Sequence, residues 1–546
     1  MKNVVVLIFA LLWGSYLRSQ TIHLLPTPDT SSYRGASGPF IVYNDNLYTH
    51  YTNSSGIGQL MQYNDCASKL IPNPDSVGKG EGFSGYSFIY NNNLYLSYLN
   101  SDSVYQLAKF DGTNITLIPN PDPVSLYYGG FAYSAPIVYN NILFFEYVNA
   151  KGIFQIAKFD GTSITLIPNP DSSKYGCNGR LFNYNGIIGV EYKNSAGYNQ
   201  LAIYDNNKIT LIPNPDAGSG VSYLEKDFNE IPTPYNGKMY FLYQNVNKIN
   251  QLAEFDGTTL KLIPNPSLVG LAPDPSPIIY NGKLYLRFQI NNMLSQMAVF
   301  DGNALSLIPN IDASKYGYGG EPIIFNGNLF FNYVTASGPD QLGKFDGNTI
   351  SLIPNPDGGT LVGDPWKIIF DNKLYCIYNP GVGAPYSYIY QLFQYDGTKT
   401  SLIANPDSPN VSEGYSGVNA IYHGKLFILY NNKEGFNQLG YLGDTIPAVA
   451  IITTSPSSSS ICIGQTVTFN VTIDSSYKPV FNWQKNGQAV GVNSPKYIDS
   501  TLKNMDKIDC ILTIDNGCTD TTIKSDTITI GVNLPMPITL SDIGKK

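Results

Sequence analysis

Leu352-Ile353-Pro354-Asn355-Pro356-Asp357 is the stretch on which the reading of this 546-residue chain turns, because near-copies of it recur along most of its length. With the third residue as marker, the copies stand at Pro26, Pro72, Pro119, Pro168, Pro213, Pro264, Pro309, Pro354 and Ala404, 45 to 51 residues apart. That period belongs to architectures in which each repeat is one small sheet. A proline cannot donate a ladder hydrogen bond, so the signature marks the end of an outermost strand. Its Asn and Asp suit a calcium ion in principle, but Asn-Pro and Pro-Asp form turns unaided, and the turn is the reading adopted. No metal and no cofactor are expected.

One repeat, Pro275 to Asp312, shows the unit. Pro277-Ile278-Ile279-Tyr280 runs to Asn281-Gly282, Lys283 to Phe288 follows, Gln296 to Phe300 ends at Asp301-Gly302, and Ala304 to Ile308 closes the unit. Asn-Gly and Asp-Gly supply the positive dihedrals of two-residue hairpins, so each repeat is predicted to be a four-stranded antiparallel meander. Sheets of this kind at this spacing predict an all-β fold, a large β-propeller of nine four-stranded blades. Eight is the alternative if the unit at Gly179 to Asp216 is displaced. Thr21 to Pro26 reads as a lone fourth strand, and the last repeat lacks one after Gln438 to Tyr441. The N-terminal strand is therefore expected to complete the last blade and close the ring.

The repeats lack the signatures of WD40, kelch and sialidase propellers. They resemble the tyrosine-rich propellers of secreted Bacteroidota proteins. After Asp444-Thr445-Ile446-Pro447 the composition shifts to Ser, Thr, Val and Ile. There Gly464 to Phe469, Phe481-Asn482-Trp483 and Asp506 to Cys510 resemble the second, third and sixth strands of an immunoglobulin-like β-sandwich. The chain departs from that pattern at Ile508, where a corner tyrosine would stand, and at Val471, where the partner of Cys510 would stand. The usual inter-sheet bridge of that fold is therefore not the one expected; three cysteines crowded into the last hundred residues of an exported chain point to one disulfide, expected between Cys462 and Cys518 with Cys510 buried and free, and Cys462 to Cys510 is the other pairing. Leu534 to Leu540 resembles the opening of a type IX secretion sorting domain, whose remainder would follow Lys546.

The apolar run from Val4 to Leu12, followed by Arg18-Ser19-Gln20, reads as a secretory signal peptide. It is too short to span a bilayer. The expected organisation is thus 1–19 signal peptide, 20–445 propeller, 446–533 immunoglobulin-like domain and 534–546 tail, in a monomer that is secreted or held at the cell surface. A net charge of -8 argues against nucleic acid or an anionic membrane surface as partner, and the four arginines, Arg18, Arg34, Arg180 and Arg287, are too few for a sialidase-type carboxylate clamp. The 42 tyrosines suit strands and surfaces that hold sugars or proteins.

Two sets of residues are candidates for function. Loops joining second to third strands and blade to blade read as long and variable, and binding concentrates on such loops. They combine glycine with aromatic rings: Tyr33, Phe83, Tyr86, Tyr127, Tyr128, Tyr175, Tyr316, Tyr318 and Tyr415. These rings either pack between blades or hold a glycan or extracellular protein, and a non-catalytic recognition protein is the function expected. The second set lies at one equivalent position of the second strands, where Glu146 and Glu191 fall in adjacent blades. That spacing admits the carboxylate pair of a polysaccharide-acting hydrolase or lyase, the alternative function. A structural surface protein is the remaining reading. The histidines His23, His50 and His423 fall in separate repeats, with no metal-ligand spacing and no nucleophile beside them in sequence.

Overall fold

The computed structural model describes residues 21–533 except 30–34, 65–66, 80, 123–129, 132–135, 178, 206, 217–219, 222–231, 267–272, 291–293, 313–315, 337–338, 358, 362–366, 381–389, 407–413, 444–449, 473–478 and 516–519. The signal-peptide and tail segments lie outside the described residues. Among those residues the fold is all-β, with strands and no helix. The chain divides into two compact units, Met1–Gln62 with Ser68–Gly443, and Tyr63–Ala67 with Asp444–Lys546.

The described residues of the first unit form nine successive antiparallel meanders. Gly82–Tyr90, Asn93–Leu99, Tyr105–Phe110 and Ile115–Leu117 make one of them, each strand pairing with the next. Both faces of the second strand are buried, Leu94, Leu96 and Tyr98 on one and Tyr95 and Ser97 on the other. Burial of each large apolar side chain contributes about 1.5–3 kcal/mol. Continuous burial of this kind requires that both faces of each sheet be covered.

Turn chemistry follows the sequence at the first hairpin. Both central residues have positive φ, as at Asn91 (44°) and Asn92 (56°) or Asn281 (47°) and Gly282 (71°), the geometry that matches strand twist. The third hairpin differs from expectation. Phe110 pairs with Ile115, so Asp111 to Asn114 form a four-residue loop, capped by Asp111 accepting from the N–H groups of Thr113 and Asn114 at 2.8 Å.

The second-to-third connections are also unlike the sequence reading, which made them long and variable. Leu99 pairs with Tyr105 and Val148 with Phe154, leaving five-residue turns. One asparagine organises each. The Asn100 side-chain Oδ1 accepts from Asp102 and Val104 N–H at 3.0 Å, and its Nδ2 donates to Gln106 Oε1 at 2.7 Å. Gln106 in turn donates to the Ile118 carbonyl on the fourth strand at 3.3 Å. The same chain of bonds recurs from Asn53, Asn149, Asn194 and Asn245.

The recurrent signature joins one meander to the next. Its Asn donates back to the start of the third strand in its own meander, Asn120 to the Tyr105 carbonyl at 3.1 Å and Asn169 to that of Phe154 at 3.1 Å. Its Asp reaches forward, accepting from the tyrosine near the end of the next second strand and from a backbone N–H three residues later. Asp122 thus holds Tyr147 (2.7 Å) and Ala150 (2.7 Å), and Asp312 holds Tyr333 (2.7 Å) and Ala336 (3.0 Å). Asp29, Asp75, Asp171, Asp216 and Asp357 bind Tyr51, Tyr98, Tyr192, Tyr243 and Tyr378 in the same way. The glycines of the connecting loops complete the joint. Gly82 pairs in parallel with Gly58, Gly130 with Tyr105 and Gly176 with Phe154, and a Cβ on any of the three would land on the partner's carbonyl oxygen.

Thr21–Leu24 pairs with Asn437–Gly443, in register from Thr21 with Gly443 to Leu24 with Gly440. Gln438 donates to the Leu25 carbonyl at 2.7 Å, repeating the bond that Gln106 makes to Ile118. The N-terminal segment therefore stands as the fourth strand of the ninth meander.

In the second unit, Ile451–Ser455, Val467–Thr472 and Lys496–Asp499 form one sheet, and Gln488–Val490, Val480–Lys485, Lys507–Asp515 and Asp520–Lys524 another. Ser460–Cys462 pairs in parallel with Gly531–Asn533. Trp483 is fully buried among Val467, Phe469, Ile508 and Leu512, and its indole N–H donates to the Ser494 carbonyl at 2.9 Å. Cys510 is buried and free opposite Trp483, and burial pushes its thiol up to about 11. Cys462 is exposed and free, so the expected bridge from it is not formed; Cys518 lies outside the described residues.

Candidate functional site

The expected aromatic ligand face is built differently from its sequence reading. Phe83 is 2% exposed, Tyr318 1% and Tyr415 1%. Tyr318 packs on Phe331, ring centroids 4.7 Å apart, and the Tyr415 hydroxyl donates to the Gly417 carbonyl at 3.2 Å. Tyr86 is half-buried, its hydroxyl pushed up by burial against the opposing charge of Arg180. Tyr175 and Tyr316 are exposed, the former beneath the ammonium groups of Lys193 (4.4 Å) and Lys174 (5.0 Å). Tyr33, Tyr127 and Tyr128 lie outside the described residues. Gly82 and Gly176, beside Phe83 and Tyr175, admit the backbone of the adjoining meander at Gly58 and Phe154.

Glu146 and Glu191 do occupy one register position, opposite Ile156 and Leu201, but both are buried, Glu146 at 2% exposure and Glu191 at 7%. The Cys177 thiol, fully buried, is pushed up by that burial and by the Glu146 charge. A cavity of about 460 Å³ is lined by Asp122, Asn149, Lys151, Asn169 and Asp171, among others, and by neither glutamate. Enclosed carboxylates cannot flank a glycosidic bond as they stand. Among the described residues no group of three or more His, Cys, Asp or Glu side chains is placed to hold a metal ion.

The same register position in the first meander holds His50, and here the fold does what the sequence did not reveal. The first strand of that meander, Gly35–Tyr43, carries two extra residues between Ser37, which pairs with His50, and Ile41, which pairs with Tyr48. The bulge swings Ser37 toward the imidazole, with Oγ 2.7 Å from Nδ1. The Phe83 carbonyl accepts from the ring's other nitrogen, which fixes the proton on Nε2 and leaves Nδ1 to accept from the serine. Burial lowers the imidazole to about 4 against that bond, so the ring is neutral at physiological pH. Gly38 (φ 86°), Gly85 (φ 94°) and Gly58 crowd around it; a Cβ on Gly58 would fall 2.9 Å from Nε2. Ser37 and His50 are both half-buried. In the second meander the equivalent Ser84 donates instead to the Ser97 carbonyl at 2.9 Å. Residues 37 and 50 are too far apart in sequence, and the bulge too weakly signalled, for periodicity to have paired them.

No family model matches the chain, and no curated protein matches it. Among solved structures it is similar to a puromycin-hydrolyzing peptidase of Mycobacterium tuberculosis, 11% identical with a TM-score of 0.32 over 70% of this chain and 61% of that one. It is similar also to a puromycin hydrolase, 12% identical with a TM-score of 0.36 over 79% of this chain and 63% of that one. The chain thus spans less than two thirds of the length of those proteins. The expectation of a non-catalytic recognition protein is corrected: of the described rings on which that reading leaned, Phe83, Tyr318 and Tyr415 are core residues.

Proposed function

We propose that the chain is a secreted hydrolase of acyl bonds, with Ser37 as nucleophile and His50 as its general base. The observation that carries this is the 2.7 Å contact between Ser37 Oγ and His50 Nδ1, with the ring's tautomer set by the Phe83 carbonyl. In this reading Ser37 Oγ attacks the substrate carbonyl as its proton passes to Nδ1. That proton leaves with the departing alcohol or amine, and water then releases the acyl group and restores the serine. On this proposal the nine meanders are the blades of a propeller closed by Thr21–Leu24, their first strands ring a central channel, and the second unit is an immunoglobulin-like spacer. The meander pairings and the two-sheet arrangement around Trp483 support that finer reading.

A fluorophosphonate probe tests the proposal. Labelling mapped by mass spectrometry to Ser37, lost in Ser37→Ala and weakened in His50→Gln, is the expected result; an unlabelled Ser37 in folded protein overturns it. The pH profile is a second check. Activity should rise with pH through about 4, where His50 gives up its proton, and be flat near neutrality. Because the folded ring titrates below its unfolded value of about 6.5, its contribution to stability is present above that value and falls away as the pH drops toward about 4.

A further inference from the structure

The strand that carries His50, Asn46–Thr52, holds beside it a residue out of keeping with its place. At the register position of Thr49 the other eight meanders hold buried apolar or sulfur side chains, Leu96, Phe145, Val190, Phe331 and Ile428 among them. Thr49 is buried with them, at 3% exposure. A hydroxyl in such a place is costly unless it is hydrogen-bonded. Its acceptors are the carbonyls of the bulge: Oγ1 lies 3.1 Å from the Ser37 oxygen, 3.3 Å from that of Pro39 and 3.4 Å from that of Gly38. One proton serves three acceptors, and Ser37 is the nearest. Successive side chains on a strand point to opposite faces, so Thr49 and His50 hold the bulge from opposite sides. His50 meets the Ser37 hydroxyl, and Thr49 meets the Ser37 backbone.

The bulge forms without such a hydroxyl elsewhere. The same two extra residues stand between Phe83 and Ser87, Gly319 and Ile323, and Tyr415 and Asn419, in meanders whose second strands hold Leu96, Phe331 and Ile428 at this position. The direction of the serine is another matter. Ser84, in the place of Ser37, donates to the backbone carbonyl of Ser97 across the pair, 2.9 Å away. The matching acceptor for Ser37 is the His50 carbonyl, so its hydroxyl has two competing partners, that oxygen and the ring Nδ1. In the structure it stands 2.7 Å from Nδ1. Gly38, at φ 86° and without a side chain, leaves this segment a freedom that a tie from Thr49 restricts. We infer that Thr49 is the positioning residue of the site: by fixing the carbonyls of Ser37, Gly38 and Pro39 it holds the Ser37 backbone where Oγ meets Nδ1 instead of the strand carbonyl. The inference rests on the hydrolase reading and deepens it. Thr49 acts through Ser37 and not on the substrate, restricting the serine to the rotamer from which its proton passes to His50.

The test removes the hydroxyl and keeps the shape. Thr49→Val supplies the side chain that Val190 already provides at this position in the fourth meander, so the variant should fold and melt close to the unaltered protein. Fluorophosphonate labelling of Ser37 should slow by ~10- to 100-fold in Thr49→Val and return to within about 3-fold of the unaltered rate in Thr49→Ser. A second readout does not depend on reactivity. The His50 Nδ1 resonance in an imidazole nitrogen NMR spectrum reports the hydrogen bond with Ser37. It should move toward its position in Ser37→Ala when measured in Thr49→Val, and stay in place in Thr49→Ser. Either readout left unchanged in Thr49→Val overturns the inference. So does a Thr49→Ser protein as slow as Thr49→Val, which would make the threonine a packing residue. A folded, unaltered chain that takes no label at Ser37 overturns the hydrolase reading instead, and the Nδ1 resonances then decide the role of Thr49 on their own.

Discussion

At the scale of single residues, the forward reach of the signature aspartate is the most informative contact. Its partner tyrosine recurs at the same place in successive second strands, and the exception is instructive. In the sixth meander Phe288 replaces the tyrosine, and in the preceding signature Ser267 replaces the aspartate. The hydroxyl and the carboxylate disappear together, as they must if each exists to satisfy the other. Tyr147→Phe leaves Asp122 without its phenol donor and is expected to cost about 1.5–3 kcal/mol in denaturant unfolding. Restoring both partners with Ser267→Asp and Phe288→Tyr should raise the melting temperature more than either change alone. The phenols also set an alkaline limit. Burial first, then the hydrogen bond to Asp and its charge, raise Tyr98, Tyr147 and Tyr333 far above their ordinary value. A phenol raised in the folded state supports stability below the unfolded value of about 10 and loses that support as pH rises beyond it. Phenolate absorbance should therefore appear together with loss of circular dichroism above about pH 10, not before it.

Among elements, the N-terminal strand has the largest leverage. Thr21–Leu24 contributes buried Ile22 and a ladder to Asn437–Gly443, while Leu25 accepts from Gln438. A chain beginning after Asp29 exposes that edge and also removes the carboxylate that holds Tyr51. Its melting temperature should fall sharply or the protein should aggregate; an unchanged melting curve would count against a structural role for this strand. Strand order and the first hairpins were legible in the sequence because Asn-Gly turns and alternating aliphatics are local signals. The five-residue turns at Asn53 and Asn100 were not, since their regularity lies in an asparagine bonded to a glutamine six residues on, a spacing no propensity rule weighs. Aromatic-glycine loops misled for the same reason: glycine was needed for a close approach, but the approaching group is backbone from the neighbouring meander. The Ser37 and His50 contact escaped because a bulge shifts register by two residues, and alternation read along one strand cannot see it.

For the molecule as a whole, the two units should melt separately. The second has its own core around Trp483 and an internal charged cluster in which Lys485 meets Asp499 at 2.9 Å and Asp506 at 3.2 Å. A fragment of residues 444–533 is expected to fold alone and to keep the fluorescence of a buried tryptophan, since Trp483 is the one tryptophan in that stretch. Burial acts to raise Asp499, but the Thr501 N–H, Lys485, and the hydroxyls of Thr501 and Tyr497 outweigh it and hold the carboxyl at about 2. A lowered carboxyl supports the fold above its unfolded value of about 3.9 and withdraws that support as pH falls toward about 2, so the fragment should lose its tryptophan signature in that window.

The register at the seam has a mechanical consequence. Thr21 lies directly opposite Gly443, so the point where the chain enters its first strand and the point where it leaves the ninth meander sit at the same end of one short antiparallel ladder. Tension applied at those two points pulls the strands apart like the teeth of a zip, loading the hydrogen bonds one after another instead of together. The other fourth strands are tethered at both ends by continuous chain and are spared that load. Under stretch the seam should yield first and at low force, and the eight remaining meanders should stay folded until it has opened.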